Sequence, residues 1–141
     1  MILYVDTSAL VPLLVAEPSS EACGEVWDAA DDVAATRLAY IEAVAAMAQG
    51  CRMGRVSENG LKEGRAVLDS LWSEVNVIEL DPALMSEASR LAVAHGLRGY
   101  DATHCAAALA IGDASLVAAS DDARLLQAWR AEGIAVRDTN A

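Results

Sequence analysis

The stretch LVAASDDARLL, residues 116–126, runs from small apolar residues through Ser120 into two adjacent aspartates and then into a helical pattern. A short apolar run bounded by polar, turn-forming residues reads as a buried strand. The same order stands at the start of the chain. There ILYV (2–5) ends at Asp6, and TSALVPLLVAE (7–17) reads as a helix with Thr7 or Ser8 as N-cap. Pro12 falls in its first turn or kinks it. Between these two stretches the spacing predicts helices over 19–31, 37–54, 57–73, 81–96 and 100–112, and strands over 32–36, 75–80 and 115–120. Asp81 with Pro82 behind it opens one helix, and Gly96 and Gly112 close two others. A helix over 122–132 and a strand over 134–138 complete the pattern.

Short strands alternating with helices predict an α/β fold, a central and mainly parallel sheet of about five short strands covered by helices on both faces. One domain over residues 1–141 suits that length. In open sheets of this kind ligands bind beyond the carboxyl ends of the strands. Asp6 and the Asp121–Asp122 pair fall at such ends.

Composition narrows the classes. Hydrophobic residues make up 55 % of the chain, but 30 residues are Ala, so much of that share belongs to Ala-rich helices. No apolar run reaches the roughly 18 residues that cross a bilayer. The N-terminus carries an Asp at position 6 and no basic segment before its apolar run, unlike a signal peptide. The expectation is a soluble, cytoplasmic protein with no membrane partner. Cys23, Cys51 and Cys105 are scattered and odd in number, which indicates neither a disulfide framework nor a paired-cysteine metal site. The net charge of −11 argues against phosphate recognition by the bulk surface. Nine of the ten basic residues are Arg, however, and Arg grips phosphate in two-point fashion.

Most carboxylates lie on polar helix faces. Asp6, Glu42, Asp101 and the Asp121–Asp122 pair do not. Glu42 is the only charged residue between Leu38 and Cys51, and Asp101 the only carboxylate between Ala88 and Gly112. Buried carboxylates are costly unless paired or hydrogen-bonded. Asp6, Asp101 and either residue of the pair can serve as helix caps or first-turn acids. Glu42 sits mid-helix and needs a specific partner, with Arg37 as the nearest conventional one. Too few basic residues lie in these segments to neutralise all four acids. An all-oxygen set points to a hard divalent cation, Mg²⁺ or Mn²⁺.

The blocks ILYVDTSAL, RLAYIEAVAAMA, GYDATHCAAALA and LVAASDDARLL, in that order, resemble the four motifs of PIN-domain nucleases, most of all the VapC-type toxins of bacterial toxin–antitoxin pairs. The resemblance spans residues 2–126. It implies a three-layer α/β/α PIN-like fold. It also implies a Mg²⁺- or Mn²⁺-dependent endoribonuclease, usually a homodimer and silenced by a small cognate antitoxin. By position, Asp6, Glu42 and Asp101 match the core acids. The last motif aligns Ser120 with its hydroxyl position and Asp122 with its acid, leaving Asp121 as a helper or a cap. Ser120 stands where Thr is commoner. Alternation along extended chain also puts Ser120 and Asp122 on one side and Asp121 on the other.

The resemblance further implies that the acids hold one or two ions, Asp6 and Asp101 directly, with Glu42 and Asp122 as ligands or water-orienting groups and Asp121 assisting. Thr7, Ser8 and Ser120 support these acids. Arg98, Arg52 and Arg124, with Arg55, are the basic candidates for RNA contact. His104 shares a face with Asp101 and reads as structural, and His95 as a C-terminal dipole partner. Other PIN nucleases, a phospho-acceptor signalling domain and a non-catalytic binding module are the competing readings. The signalling fold needs a late Lys, but the single Lys is Lys62.

Overall fold

The structure is a computed structural model and describes residues 1–140. Five strands form one sheet: β1 (Ile2–Val5), β2 (Asp32–Thr36), β3 (Asn76–Ile78), β4 (Leu116–Ser120) and β5 (Ala135–Asp138). Their spatial order is β3-β2-β1-β4-β5 and every pairing is parallel. The chain therefore winds outward from β1 to β3 and restarts on the other side of β1 with β4. The boundary between β1 and β4 is the switch point at which such sheets open a crevice. Tyr4 pairs in register with Ala34 on one side and Ala118 on the other, and Val5 with Ala119. Asp6 and Ser120 thus leave the sheet side by side.

Among the described residues seven α-helices cover the sheet: α1 (Thr7–Leu10), α2 (Ser20–Ala29), α3 (Arg37–Arg52), α4 (Glu58–Trp72), α5 (Pro82–His95), α6 (Gly99–Ile111) and α7 (Ala123–Ala131). Strand alternation sorts side chains between two cores. Leu3, Val5, Ala35 and Ala119 pack with Leu10, Ala39, Met47 and Leu68 on one face. Tyr4, Ala34 and Ala118 pack with Leu91, Ala106, Leu125 and Trp129 on the other. Val11 and Leu14 are buried in the first core. Alanines on α3 and α6 let these helices lie close to the strands, which uses the Ala-rich composition as packing. Gly64 shows how tight that packing is: a Cβ there would stand 2.7 Å from the Met47 sulfur.

The helix expected over 7–17 is shorter than its pattern. It stops at Leu10, and a 3₁₀ turn, Val11–Leu13, follows. Pro12 has no N–H to continue the ladder, so the chain tightens there. The strand expected over 75–80 pairs only over Asn76–Ile78 because β3 is an edge with one neighbour. Ends elsewhere match expectation to within two residues, with caps where polar residues allow: Thr36 receives Ala39 N–H, Ser57 receives Gly60 N–H and Asp81 receives Leu84 N–H. Gly96 and Gly112 close α5 and α6 in left-handed conformation, φ 63° and 61°. Among the described residues no helix is long and apolar enough to cross a membrane.

Candidate active site

Asp6 is the centre of the carboxyl edge. It ends β1, caps α1 by accepting from Ala9 N–H at 3.1 Å, and is 5 % exposed. Ser8 Oγ donates to its Oδ1 at 2.7 Å and Ser120 Oγ to its Oδ2 at 2.6 Å. Each hydroxyl has one proton to give, and both are spent on Asp6. Each hydroxyl oxygen in turn accepts a backbone N–H from the β4–α7 connection, Asp121 N–H at Ser8 (2.9 Å) and Asp122 N–H at Ser120 (3.0 Å). The two serines therefore clasp the Asp121–Asp122 backbone onto Asp6. Burial pushes the Asp6 carboxyl up; His104 and the donors Ser120, Ser8 and Ala9 pull it partly back.

The paired aspartates diverge. Asp122 caps α7 through Leu125 N–H at 2.9 Å and lines a cleft of about 350 Å³ with Arg98, Asp101, Ala123 and Arg124. Asp121 is exposed and does not line that cleft. Its charge acts on Glu17, whose carboxyl is pushed up first by partial burial and then by Asp121. Asp101 occupies the first turn of α6 without capping it. Burial and then the charge of Asp122 push its carboxyl up, against Arg98 and His104. The Arg98 guanidinium stands 3.6 Å away, but its side chain is 81 % exposed, so this pair is weak.

Glu42, in the second turn of α3, is not paired with Arg37. That arginine reaches outward to Glu79. Glu42 Oε1 instead accepts from Thr7 Oγ1 at 2.8 Å and lies 2.9 Å from His104 Nε2. His104 Nδ1 lies 2.7 Å from the Tyr4 hydroxyl. Burial raises the Glu42 carboxyl, but the hydrogen bonds from His104 and Thr7 outweigh it, and the group is held below its usual range. Its side chain borders a second cleft of about 490 Å³ with Thr7, Leu38, Ile41 and Tyr100.

The structure gathers Asp6, Ser8, Ser120 and the Asp121 and Asp122 backbones in one hydrogen-bonded cluster, with Asp101 on the same cleft as Asp122 and Thr7 bonded to Glu42. Arg98 and Arg124 border the acids. Arg52 does not: it lies in the last turn of α3, ten residues and so about 15 Å along the axis from Glu42, and bonds to Gln49. Arg55 lines a separate groove with Glu17 and Pro18. His95 meets Glu132 at 2.8 Å. The sequence reading missed the link from Tyr4 through His104 to Glu42. Its only local trace is a His one turn after Asp101 and a Tyr inside the first strand.

The donor chemistry suits a hard cation, since carboxylates and hydroxyls supply oxygen alone, and burial opposes ionisation of Asp6 and Asp101, with Asp122 adding to it at Asp101. Among the described residues, no three carboxylate, imidazole or thiolate groups are drawn together closely enough to enclose an ion as they stand.

A doubly wound parallel sheet, with Asp6 and Asp122 after two of its strands and Asp101 and Glu42 in the first two turns of α6 and α3, defines a three-layer α/β domain with an acidic site. The PIN domain model matches residues 3–128, and the chain belongs to that family. It is 38 % identical over 135 residues to Ribonuclease VapC45 of Mycobacterium tuberculosis, covering 96 % of this chain and 94 % of that one. Its fold is similar to PAE2754 from Pyrobaculum aerophilum, with TM-score 0.72 and 26 % identity over 99 % of this chain and 85 % of that one. It is also similar in fold to a toxin-antitoxin complex from Klebsiella pneumoniae, with TM-score 0.63 and 15 % identity, covering 88 % and 89 %.

Proposed function

We propose that this protein is a Mg²⁺- or Mn²⁺-dependent endoribonuclease, the toxin of a toxin–antitoxin pair acting in the cytoplasm. The observation that carries the reading is the placement of Asp6 at the end of β1 and of Asp101 and Asp122 on one cleft, with Glu42 on the next, in a chain 38 % identical to a ribonuclease along nearly its full length.

Asp6, Glu42, Asp101 and Asp122 would hold the ion or ions, with Asp121 outside the set. A bound divalent ion lowers the pKa of its water and stabilises charge on phosphoryl oxygens. The chain's own residues prepare the rest. Ser8 and Ser120 fix both oxygens of Asp6, and Thr7 fixes one oxygen of Glu42. Arg98 and Arg124 border the acids on the solvent side and would take the flanking phosphates, offsetting the net charge of −11 where RNA lies. The domain would work as a homodimer held inactive by a small cognate antitoxin, in keeping with its fold likeness to a toxin–antitoxin complex.

Purified protein should cut RNA with Mg²⁺ or Mn²⁺ and stop when EDTA is added. Pulse expression followed by mapping of new 5′ ends identifies the target. Cleavage unaffected by EDTA, or by Asp6→Asn and Asp101→Asn together, refutes the reading. Expression should arrest growth, co-expression with a small antitoxin encoded beside it should relieve that arrest, and sedimentation should give a dimer.

A further inference from the structure

A buried hydrogen-bonded chain crosses all three layers of the domain at the level of the acids. Tyr4 belongs to β1 in the sheet, His104 to α6 on one face and Glu42 to α3 on the other. Tyr4 is 0 % and His104 3 % exposed. The Tyr4 ring is held edge-on by Trp129, with centroids 5.8 Å apart. Proton counting assigns every bond. A carboxylate only accepts, so His104 Nε2 carries the hydrogen that goes to Glu42 Oε1. With its one hydrogen at Nε2, the ring presents a lone pair at Nδ1, and the Tyr4 hydroxyl 2.7 Å away donates to it. One ring hydrogen, at Nε2, satisfies both partners, which assigns the Nε2–H tautomer from the hydrogen-bond geometry.

Both donors to Glu42, His104 and Thr7, fall on the same oxygen. Among the described residues Oε2 has no hydrogen-bond partner and is left for a cation or a water. Without His104, Glu42 would keep one hydroxyl contact on a side chain with several rotatable bonds, and the free oxygen would wander. The arrangement matches the way histidines and carboxylates beside metal sites are aimed by a neighbour behind them.

We propose that His104 is a positioning residue for Glu42, locked as one tautomer by Tyr4, so that Oε1 is tied down and Oε2 is presented to the metal site. The role of Glu42 rests on the metal-dependent cleavage proposed above. The relay itself is a property of the folded chain alone.

The test has two arms. In the metal-free protein, ¹⁵N–¹H correlation of the imidazoles should show His104 as the neutral Nε2–H form, and Tyr4→Phe should convert it to a tautomer mixture. Mn²⁺ titration by calorimetry and RNA cleavage kinetics then compare His104→Leu, His104→Gln and Tyr4→Phe. Loss of the positioning partner should weaken Mn²⁺ binding or lower kcat by about 10- to 100-fold. KM for RNA should barely change. Gln, whose amide N–H takes the place of Nε2–H, should recover most of the loss. Tyr4→Phe, nearly isosteric, decides the matter if the His104 variants do not fold. An unchanged tautomer in Tyr4→Phe, or a Gln variant no better than Leu at equal thermal stability, overturns the proposal. If the wild type cuts no RNA, the nuclease reading fails, while the tautomer and the Mn²⁺ affinities still decide the relay.

Discussion

Ser120→Ala removes one hydroxyl from the centre of the site, and its consequences follow from the hydrogen-bond count. Ser120 is 0 % exposed, donates to Asp6 Oδ2 at 2.6 Å and accepts Asp122 N–H at 3.0 Å. A hydrogen bond to a buried charged group contributes about 1.5–3 kcal/mol and a neutral one about 1 kcal/mol, so the variant should lose about 2–4 kcal/mol. For a domain of this length, about 3 °C of Tm accompanies each kcal/mol, giving a fall of about 6–12 °C. The pH dependence has a definite sign. Burial already raises the Asp6 carboxyl above its unfolded value, and Ser120 is one of the groups pulling it back. The folded state therefore binds more protons than the unfolded state between the two pKa values, and stability falls as pH rises through that window. Removing the hydroxyl moves the folded value further up, widening the window. The variant should lose more stability relative to wild type near pH 8 than near pH 5. Urea unfolding of both proteins at the two pH values measures this, with unchanged m-values as the control. A loss under about 1 kcal/mol near pH 8, where charge-assisted bonding should tell most, would refute the reasoning. An equal loss at both pH values would refute it as well.

The two adjacent aspartates should separate cleanly: Asp122→Asn lowers metal-dependent cleavage by at least about tenfold, whereas Asp121→Asn stays near wild type, as initial rates on one RNA will show. Asp101→Asn should raise the stability of the metal-free protein at neutral pH, because it removes a carboxyl whose ionisation burial and Asp122 oppose. Its folded pKa is raised, so this gain should grow as pH rises through the raised value and shrink on acidification. Mn²⁺ at a hundred times its Kd should stabilise the wild type by about 2.7 kcal/mol in the same unfolding assay, and Asp101→Asn should lose most of that gain. Arg98→Ala and Arg124→Ala should each weaken RNA binding and flatten its logarithmic salt dependence by about 0.7, a phosphate contact's share for single strands. Arg52→Ala should do neither in the same fluorescence titration.

The class of the fold was legible because its signals are local. Four apolar runs ended by polar residues, Pro82 behind Asp81, and glycines at the ends of α5 and α6 speak through sterics within a few residues. The acids stood out for the same reason: Glu42 and Asp101 are isolated charges in apolar helices, and no distant information is needed to see that. Alternation along β4 likewise separates Asp122 from Asp121 without reference to any tertiary contact. Pro12 marks a disturbance, but whether the helix is kinked or ended there is not legible, since a single missing N–H can do either.

Partners of the site residues lay beyond the sequence. Arg37 is five residues before Glu42 and His104 sixty-two after it, yet the bond goes to His104. Arg52 and Arg98 look alike as exposed arginines near helix ends; only the direction in which α3 leaves the carboxyl edge takes Arg52 away. The strand order decides the rest. Sequence by itself determined which residues carry charge into apolar surroundings and which segments are helix or strand, because burial and backbone geometry act over neighbouring residues. That β4 lies beside β1, so that Ser120 meets Asp6 across 114 positions and Tyr4 reaches His104 across 100, was decided by the tertiary structure. Strand pairing of this kind depends on how all the apolar faces are buried at once, which no local pattern records.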